Sequence, residues 1–238
     1  MSMGACHVIS DLHLFSRRSL ATNRREELEQ VVRESRSLVL AGDIVDFKWS
    51  EIGDEERTAE AATEWIEELM RINPRCELHY VLGNHDDHPA LIAKLTALAE
   101  CHERFNWDRF HVRLGNAVFL QGDAAQARMS PERLGAFREK FAGHKRRGRA
   151  LSRLYDLAVA ARIHVVSAIA VYPQHRVLRR LYRYLDQIEA GPVHGVRNVY
   201  FGHTHRAIND VEYGGLRFHN CGAPIAGLKF KILKAELE

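Results

Sequence analysis

The stretch Val81-Leu82-Gly83-Asn84-His85-Asp86 decides the reading of this chain. Leu78 to Leu82 is apolar and reads as a buried strand. It stops at a glycine and is followed at once by three polar side chains. Asn, His and Asp are poor core material, because each needs a polar partner once it leaves water. Taken alone, the stretch fits a turn in which Gly83 and Asn84 bend the chain and Asp86 caps the next helix. It fits equally well a functional loop at the end of a strand.

Other strand ends finish in the same way. Ala5 to Ile9 leads into Ser10-Asp11-Leu12-His13, where alternation in an extended segment puts Asp11 and His13 on one side and Leu12 on the other. Ser37 to Leu40 leads into Gly42-Asp43-Ile44-Val45-Asp46. Val196 to Phe201 leads into Gly202-His203-Thr204-His205, again with two histidines two apart. Carboxylates and imidazoles gathered at strand ends suit a divalent metal of intermediate hardness. The set, in this order, points to one shared metal site.

Between these ends the sequence is helical. Thr22 to Arg36 is amphipathic, Asp54 caps a helix from Glu55 to Ile72, and Pro89 opens a helix reaching about Ala99. Strands alternating with helices indicate a layered α/β domain with its functional groups at the carboxyl ends of the strands. Phe105 to Trp107, Phe110 to Leu114 and Val118 to Leu120 are shorter strand-like pieces, the last two joined by a Gly115-Asn116 turn. Ile208 to Tyr213 and Leu216 to His219 form a second hairpin across Gly214-Gly215, and Lys229 to Leu233 reads as a closing strand.

Residues 124–190 differ from the rest. They are helical in pattern and rich in arginine, Arg146 and Arg147 among them, with an apolar run at 157–172. The segment reads as a helical cap inserted in a single domain spanning 1–238. Either it is a solvated basic face or it closes over an anionic substrate, one with an apolar tail included.

Composition narrows the class. The chain has 238 residues, 46% hydrophobic and 27% charged, with a formal net charge of only +3. No global basic field argues for nucleic acid, and the basic runs lack interleaved aromatic stacking partners. The four cysteines, Cys6, Cys76, Cys101 and Cys221, show no close-spaced pair, which fits reduced thiols in the cytoplasm. No signal peptide is expected from Met1 to Ile9, and no apolar run is long enough to cross a bilayer.

The pattern D-x-H, G-D-x-x-D, G-N-H-D and G-H-x-H resembles the calcineurin-like metallophosphoesterases from Cys6 to about Leu233, the helical insertion apart. The resemblance implies a four-layer α/β/β/α sandwich with a two-metal centre between its sheets. It implies that Asp11, His13, Asp43 and His205 hold one metal, and that Asp43, Asn84 and His203 hold the other. It makes His85 the donor to the leaving group and Asp46 the residue that orients it. A metal-bound hydroxide would attack phosphorus. Where the family has a further histidine ligand, this chain has Gln121. A glutamine oxygen is a weaker, harder donor, so the second metal is expected to be loosely held, and Mn²⁺ to be favoured over Fe or Zn.

Within the family the chain is most similar to the UDP-diacylglucosamine pyrophosphohydrolases of lipid A synthesis. Gln121-Gly122-Asp123 stands where those enzymes have His-Gly-Asp, and a basic insertion follows. That likeness implies a lipid-linked substrate met by Arg146 and Arg147, and peripheral contact with the inner membrane. Two departures oppose it: Gln121 itself, and His85 where those enzymes usually carry arginine. A phosphorylated small molecule is the broader expectation, and a non-catalytic metal-binding scaffold the contrary one.

Overall fold

The computed structural model describes residues 5–142 and 173–238. Two five-stranded sheets lie face to face. The first has the order β10-β1-β2-β3-β4, built from β1 (Ala5–Ile9), β2 (Ser35–Ala41), β3 (Glu77–Val81), β4 (Phe105–Asp108) and β10 (Leu233–Ala235). Strands β1 to β4 are mutually parallel and β10 runs antiparallel to β1. The second has the order β5-β6-β7-β9-β8, from β5 (His111–Leu114), β6 (Ala117–Leu120), β7 (Asn198–Phe201), β8 (Ile208–Tyr213) and β9 (Leu216–Asn220). There β6, β7 and β9 are parallel, and β5 and β8 are antiparallel edges.

Three apolar clusters glue four layers together. Helices α1 (Arg25–Glu34), α2 (Glu55–Ile72) and α3 (Pro89–Cys101) cover the outer face of the first sheet. Leu28, Val32, Ala62, Ile66, Leu91 and Leu95 meet Ile9, Leu38, Leu40 and Tyr80 there. Val8, Val39, Ala41, Phe119, Tyr200 and Cys221 fill the space between the sheets. Helices α4 (Pro131–Ala142) and α5 (Gln174–Gln187) cover the outer face of the second sheet, where Leu134, Val177, Leu181 and Leu185 meet Val118, Val199 and Phe218. The architecture is the α/β/β/α sandwich expected from the sequence. In the described part of 124–190, both long helices lie in the outer layer on the second sheet. Arg146, Arg147 and the apolar run 157–172 lie outside the described residues.

Local chemistry sets the helix starts. Asp54 accepts from the backbone N–H of Arg57 at 2.8 Å, and His88, not Asp86, caps α3 by accepting from Ala90 N–H, with Pro89 at the first helical position. The expected helix from Thr22 to Arg36 is shorter. Its first turn is 3-10, and Ser35 already pairs with Ala5 in the sheet. The closing strand also sits further along than Lys229 to Leu233. Phe230 bridges back to Gly222, and only at Leu233 does the chain reach the edge beside Val8.

Candidate metal centre

The carboxyl ends of β1, β2 and β3 face those of β6, β7 and β9, and the candidate side chains converge there. The loops after β1 and β2 are joined by Asp11 N–H to Gly42 O, His13 N–H to Asp43 O, and Leu14 N–H to Ile44 O, at 2.8 to 3.0 Å. Gly202 N–H donates to Gln121 O at 2.8 Å and ties the loops of the second sheet in the same manner.

Asp11 and His13 do not converge through strand alternation, as the sequence suggests. Strand β1 ends at Ile9, and both residues adopt left-handed backbone, with φ of 52° and 48°. Asp43, His203 and His205 do likewise, at 52°, 64° and 53°. These five are among the eight non-glycine residues with positive φ in the described chain. Such conformations cost of order 1 kcal/mol or more each, and they collect where surrounding structure holds functional groups in place. Leu12, between two of them, is buried in the first core as expected.

The glycines serve close approach. A Cβ on Gly202 would collide with the Asp11 carboxylate, and Gly42, at φ +83°, lies against the Gln121 side chain. Neither position tolerates a side chain without moving a site residue.

In the first part of the site, the Nε2 atoms of His13 and His205 face each other at 3.0 Å, and His205 Nε2 lies 3.6 Å from Asp11 Oδ1. Donor atoms of Asp11, His13 and His205 all lie within 4.8 Å of one another, as do those of His13, Asp43 and His85. Asp11 Oδ1 accepts from His203 N–H, whereas Oδ2 is buried with no hydrogen-bond partner among the described residues. Burial, and then the neighbouring Asp43 carboxylate, push the Asp11 carboxyl up from its ordinary range. Burial, then the surrounding histidines, push His205 well down, so its imidazole is neutral. Two buried carboxylates beside a neutral imidazole, with one oxygen orphaned, fit a divalent cation.

Asp46 and His85 form a separate pair. Asp46 Oδ1 accepts from His85 Nδ1 at 3.1 Å and from Trp49 N–H at 3.0 Å. Its other oxygen lies 3.5 Å from His13 Nδ1. Burial opposes the charge on Asp46, but His85 and His13 hold its carboxyl far below the usual range. Burial likewise disfavours a charged His85, yet Asp46 and Asp43 raise it to about 9. The Asp43 oxygens accept from His85 N–H at 2.8 Å and from the Gln121 amide at 2.9 Å. His203 Nδ1 lies 3.1 Å from Asn84 Oδ1 and 3.1 Å from Gln121 Nε2. The structure thus brings Asp11, His13, Asp43, Asp46, Asn84, His85, Gln121, His203 and His205 into one cluster. Gln121, however, turns its nitrogen toward it, while its oxygen accepts from Asp123 N–H at 2.7 Å.

Several residues of the surroundings escape sequence reasoning. Asp86 is fully buried and accepts from Ile44 N–H, the Tyr80 hydroxyl and Gly83 N–H, so it braces the loop. Arg138 of α4 is buried and clamps Asp123 through two hydrogen bonds of 2.7 and 2.9 Å. Its Nη1 bonds Arg109 O and lies 3.7 Å from Asp87. Further along α4, the Phe141 ring lies 5.2 Å from that of His85, with Lys48 Nζ 4.3 Å above it. An arginine spaced along an apolar helix face is the one signal that could have marked Arg138. Asn220 donates to Gly202 O and accepts from Gly222 N–H, which makes it a loop brace.

A profile of the calcineurin-like phosphoesterase family matches residues 6–207, and the chain belongs to that family. It is a phosphoester hydrolase by that membership. A dimetal phosphatase from Danio rerio is similar to it, at 14% identity over 98% of this chain and 92% of that one, with a TM-score of 0.47. No curated protein sequence matches the chain.

Proposed function

We propose that the chain hydrolyses a phosphoester or pyrophosphate with a divalent metal held by Asp11, His13, Asp43 and His205, and with His85 as the proton donor. The observation that supports this most directly is the convergence of two carboxylates and two histidines from both sheets around an orphaned, buried Asp11 oxygen. When bound, the metal supplies Lewis acidity, making water more acidic and drawing charge from phosphoryl oxygens. The donor set suits Mn²⁺, with Fe or Zn as alternatives.

The protein's own contributions follow from the geometry. Asp46 accepts from His85 Nδ1–H, which orients the ring, and the imidazolium then has Nε2–H to donate toward a leaving-group oxygen. The same carboxylate keeps His85 protonated near neutral pH. The Phe141 ring lies beside that imidazole, with Lys48 Nζ over the Phe141 face.

The substrate is an organic phosphate. A lipid-linked nucleotide sugar is the narrower reading, supported by Gln121-Gly122-Asp123 and by the basic character of 124–190. Under it the chain would work in the cytoplasm at the inner membrane, with Arg146 and Arg147 on the substrate. Mn²⁺-stimulated hydrolysis of a chromogenic phosphomonoester and diester, beside a panel of nucleotides and acylated UDP-sugars, tests the reading. His85→Ala should lower turnover by about 10² to 10⁴ with metal content unchanged. Full activity in both His85→Ala and Asp43→Asn would refute it.

A further inference from the structure

The second half of the cluster does not offer the donors that a second cation needs. Gln121 sits at its centre, and three contacts fix how its amide lies. Its Oε1 accepts from the backbone N–H of Asp123 at 2.7 Å. A backbone N–H can only donate, so an amide turned the other way would set NH₂ against N–H. With Oε1 committed, Nε2 carries two hydrogens toward the site. Asp43 Oδ2 is 2.9 Å away and His203 Nδ1 is 3.1 Å away. His203 Nε2 lies 3.2 Å from Gln126 Oε1 and its Nδ1 lies 3.1 Å from Asn84 Oδ1, so both ring nitrogens face acceptor oxygens. The oxygen that the amide engages, Asp43 Oδ2, is thus an atom that a cation at this place would require, and the same NH₂ group stands against His203 Nδ1.

From this we infer that the Gln121 carboxamide occupies the role of the second cation, so that the chain binds a single metal tightly, at Asp11, His13, Asp43 and His205. The inference rests on the metallohydrolase reading above and narrows it. Gln121 is fully buried, and the oxygen it would need to turn inward is anchored to the main chain. The anchor is itself held, because the Asp123 carboxylate is clamped by buried Arg138. A second cation would have to break the Gln121–Asp43 hydrogen bond, face the NH₂ group, and settle for Asn84, His203 and one Asp43 oxygen. Glutamine thus acts here as a positioning residue, orienting Asp43 by a neutral hydrogen bond where the family has a metal ligand.

The test uses the full chain, stripped of metal and equilibrated by dialysis against Mn²⁺. Bound Mn²⁺ is counted by elemental analysis and its environment read by electron paramagnetic resonance. The wild-type protein should bind one equivalent with the six-line signal of an isolated ion. A second equivalent should bind at least about 100-fold more weakly than the first. Gln121→His, which replaces the NH₂ group with a nitrogen lone pair, should bring the second affinity to within about tenfold of the first and produce a spin-coupled signal. Two coupled ions of similar affinity in the wild type would overturn the inference and leave the hydrolase reading intact. A Gln121→His chain that still takes one ion would also overturn it, since the amide would not be what keeps the second out. No Mn²⁺ bound to the wild type would overturn both. The wild-type count decides the question even if the variant fails to fold.

Discussion

From the first sheet the site receives Asp11, Asp43 and Asp46, together with His13, Asn84 and His85; from the second it receives Gln121, His203 and His205. Every carboxylate that faces the centre comes from one side, and the other side gives only neutral nitrogen and amide groups. The second sheet's own acid at this level, Asp123, is turned away and matched by Arg138. The first sheet therefore supplies the negative charge that would attract a cation, and the second supplies donors that shape the cavity and hold it in register. Attraction and alignment would thus be divided between the two layers.

That division can be broken most severely from the first side. Asp43→Asn should abolish both metal retention and hydrolysis, measured by metal content and by phosphoester turnover, since Asp43 touches both halves of the site. Arg138→Leu should cost about 3–5 kcal/mol in a urea unfolding experiment, because it leaves Asp123 buried and unpaired. If Arg138 only aligns the second side, the folded fraction should still bind metal. A change on the second side alone, His205→Gln, should weaken metal affinity by about 10- to 100-fold without unfolding the protein, as read by competition with a chromophoric chelator. A loss as complete as that of Asp43→Asn would show that the two sides are not so divided.

The smallest effect concerns His79 on β3, away from the metal residues. It is buried between the sheets, neither ring nitrogen has a hydrogen-bond partner among the described residues, and burial lowers its pKa. Its neutral form is the one that folds. Stability should therefore be complete above about pH 6.5, the unfolded value, and decline as the pH falls toward the lower folded value. His79→Phe should lose less stability than the wild type between pH 7.5 and 5.5 in urea titrations. Equal losses would remove His79 from the acid response.

Much of this was legible before any coordinates. Glycine followed by Asn-His-Asp or His-x-His after an apolar strand announces a loop that carries polar groups for use. Asp54 announces its helix by a capping rule that needs only four residues. What was hidden depends on contacts distant in sequence or on backbone conformations that no composition reveals. The alternation of Asp11 with His13 looks like pleating and proves to be a pair of left-handed residues. Arg138 looks like one more cation in a basic run until Asp123 and Asp87 close around it. Gln121 was legible as a substitution, but the direction of its amide depends on a main-chain N–H two residues on, inside a fold the sequence does not display.

The strand order of the first sheet bears on how such a chain is made. Strand β1 lies between β2, which follows it soon after, and β10, whose Leu233 and Ala235 pair with Val8 and Cys6. On the ribosome, β1 and β2 could join early, while the other flank of β1 stays uncovered until nearly all of these residues have been synthesised. Such late, long-range pairing favours slow maturation and exposes an apolar edge in the meantime. Nascent chains are thus expected to need shielding until Leu233–Ala235 have emerged, a demand set by the three residues that complete the edge of β1.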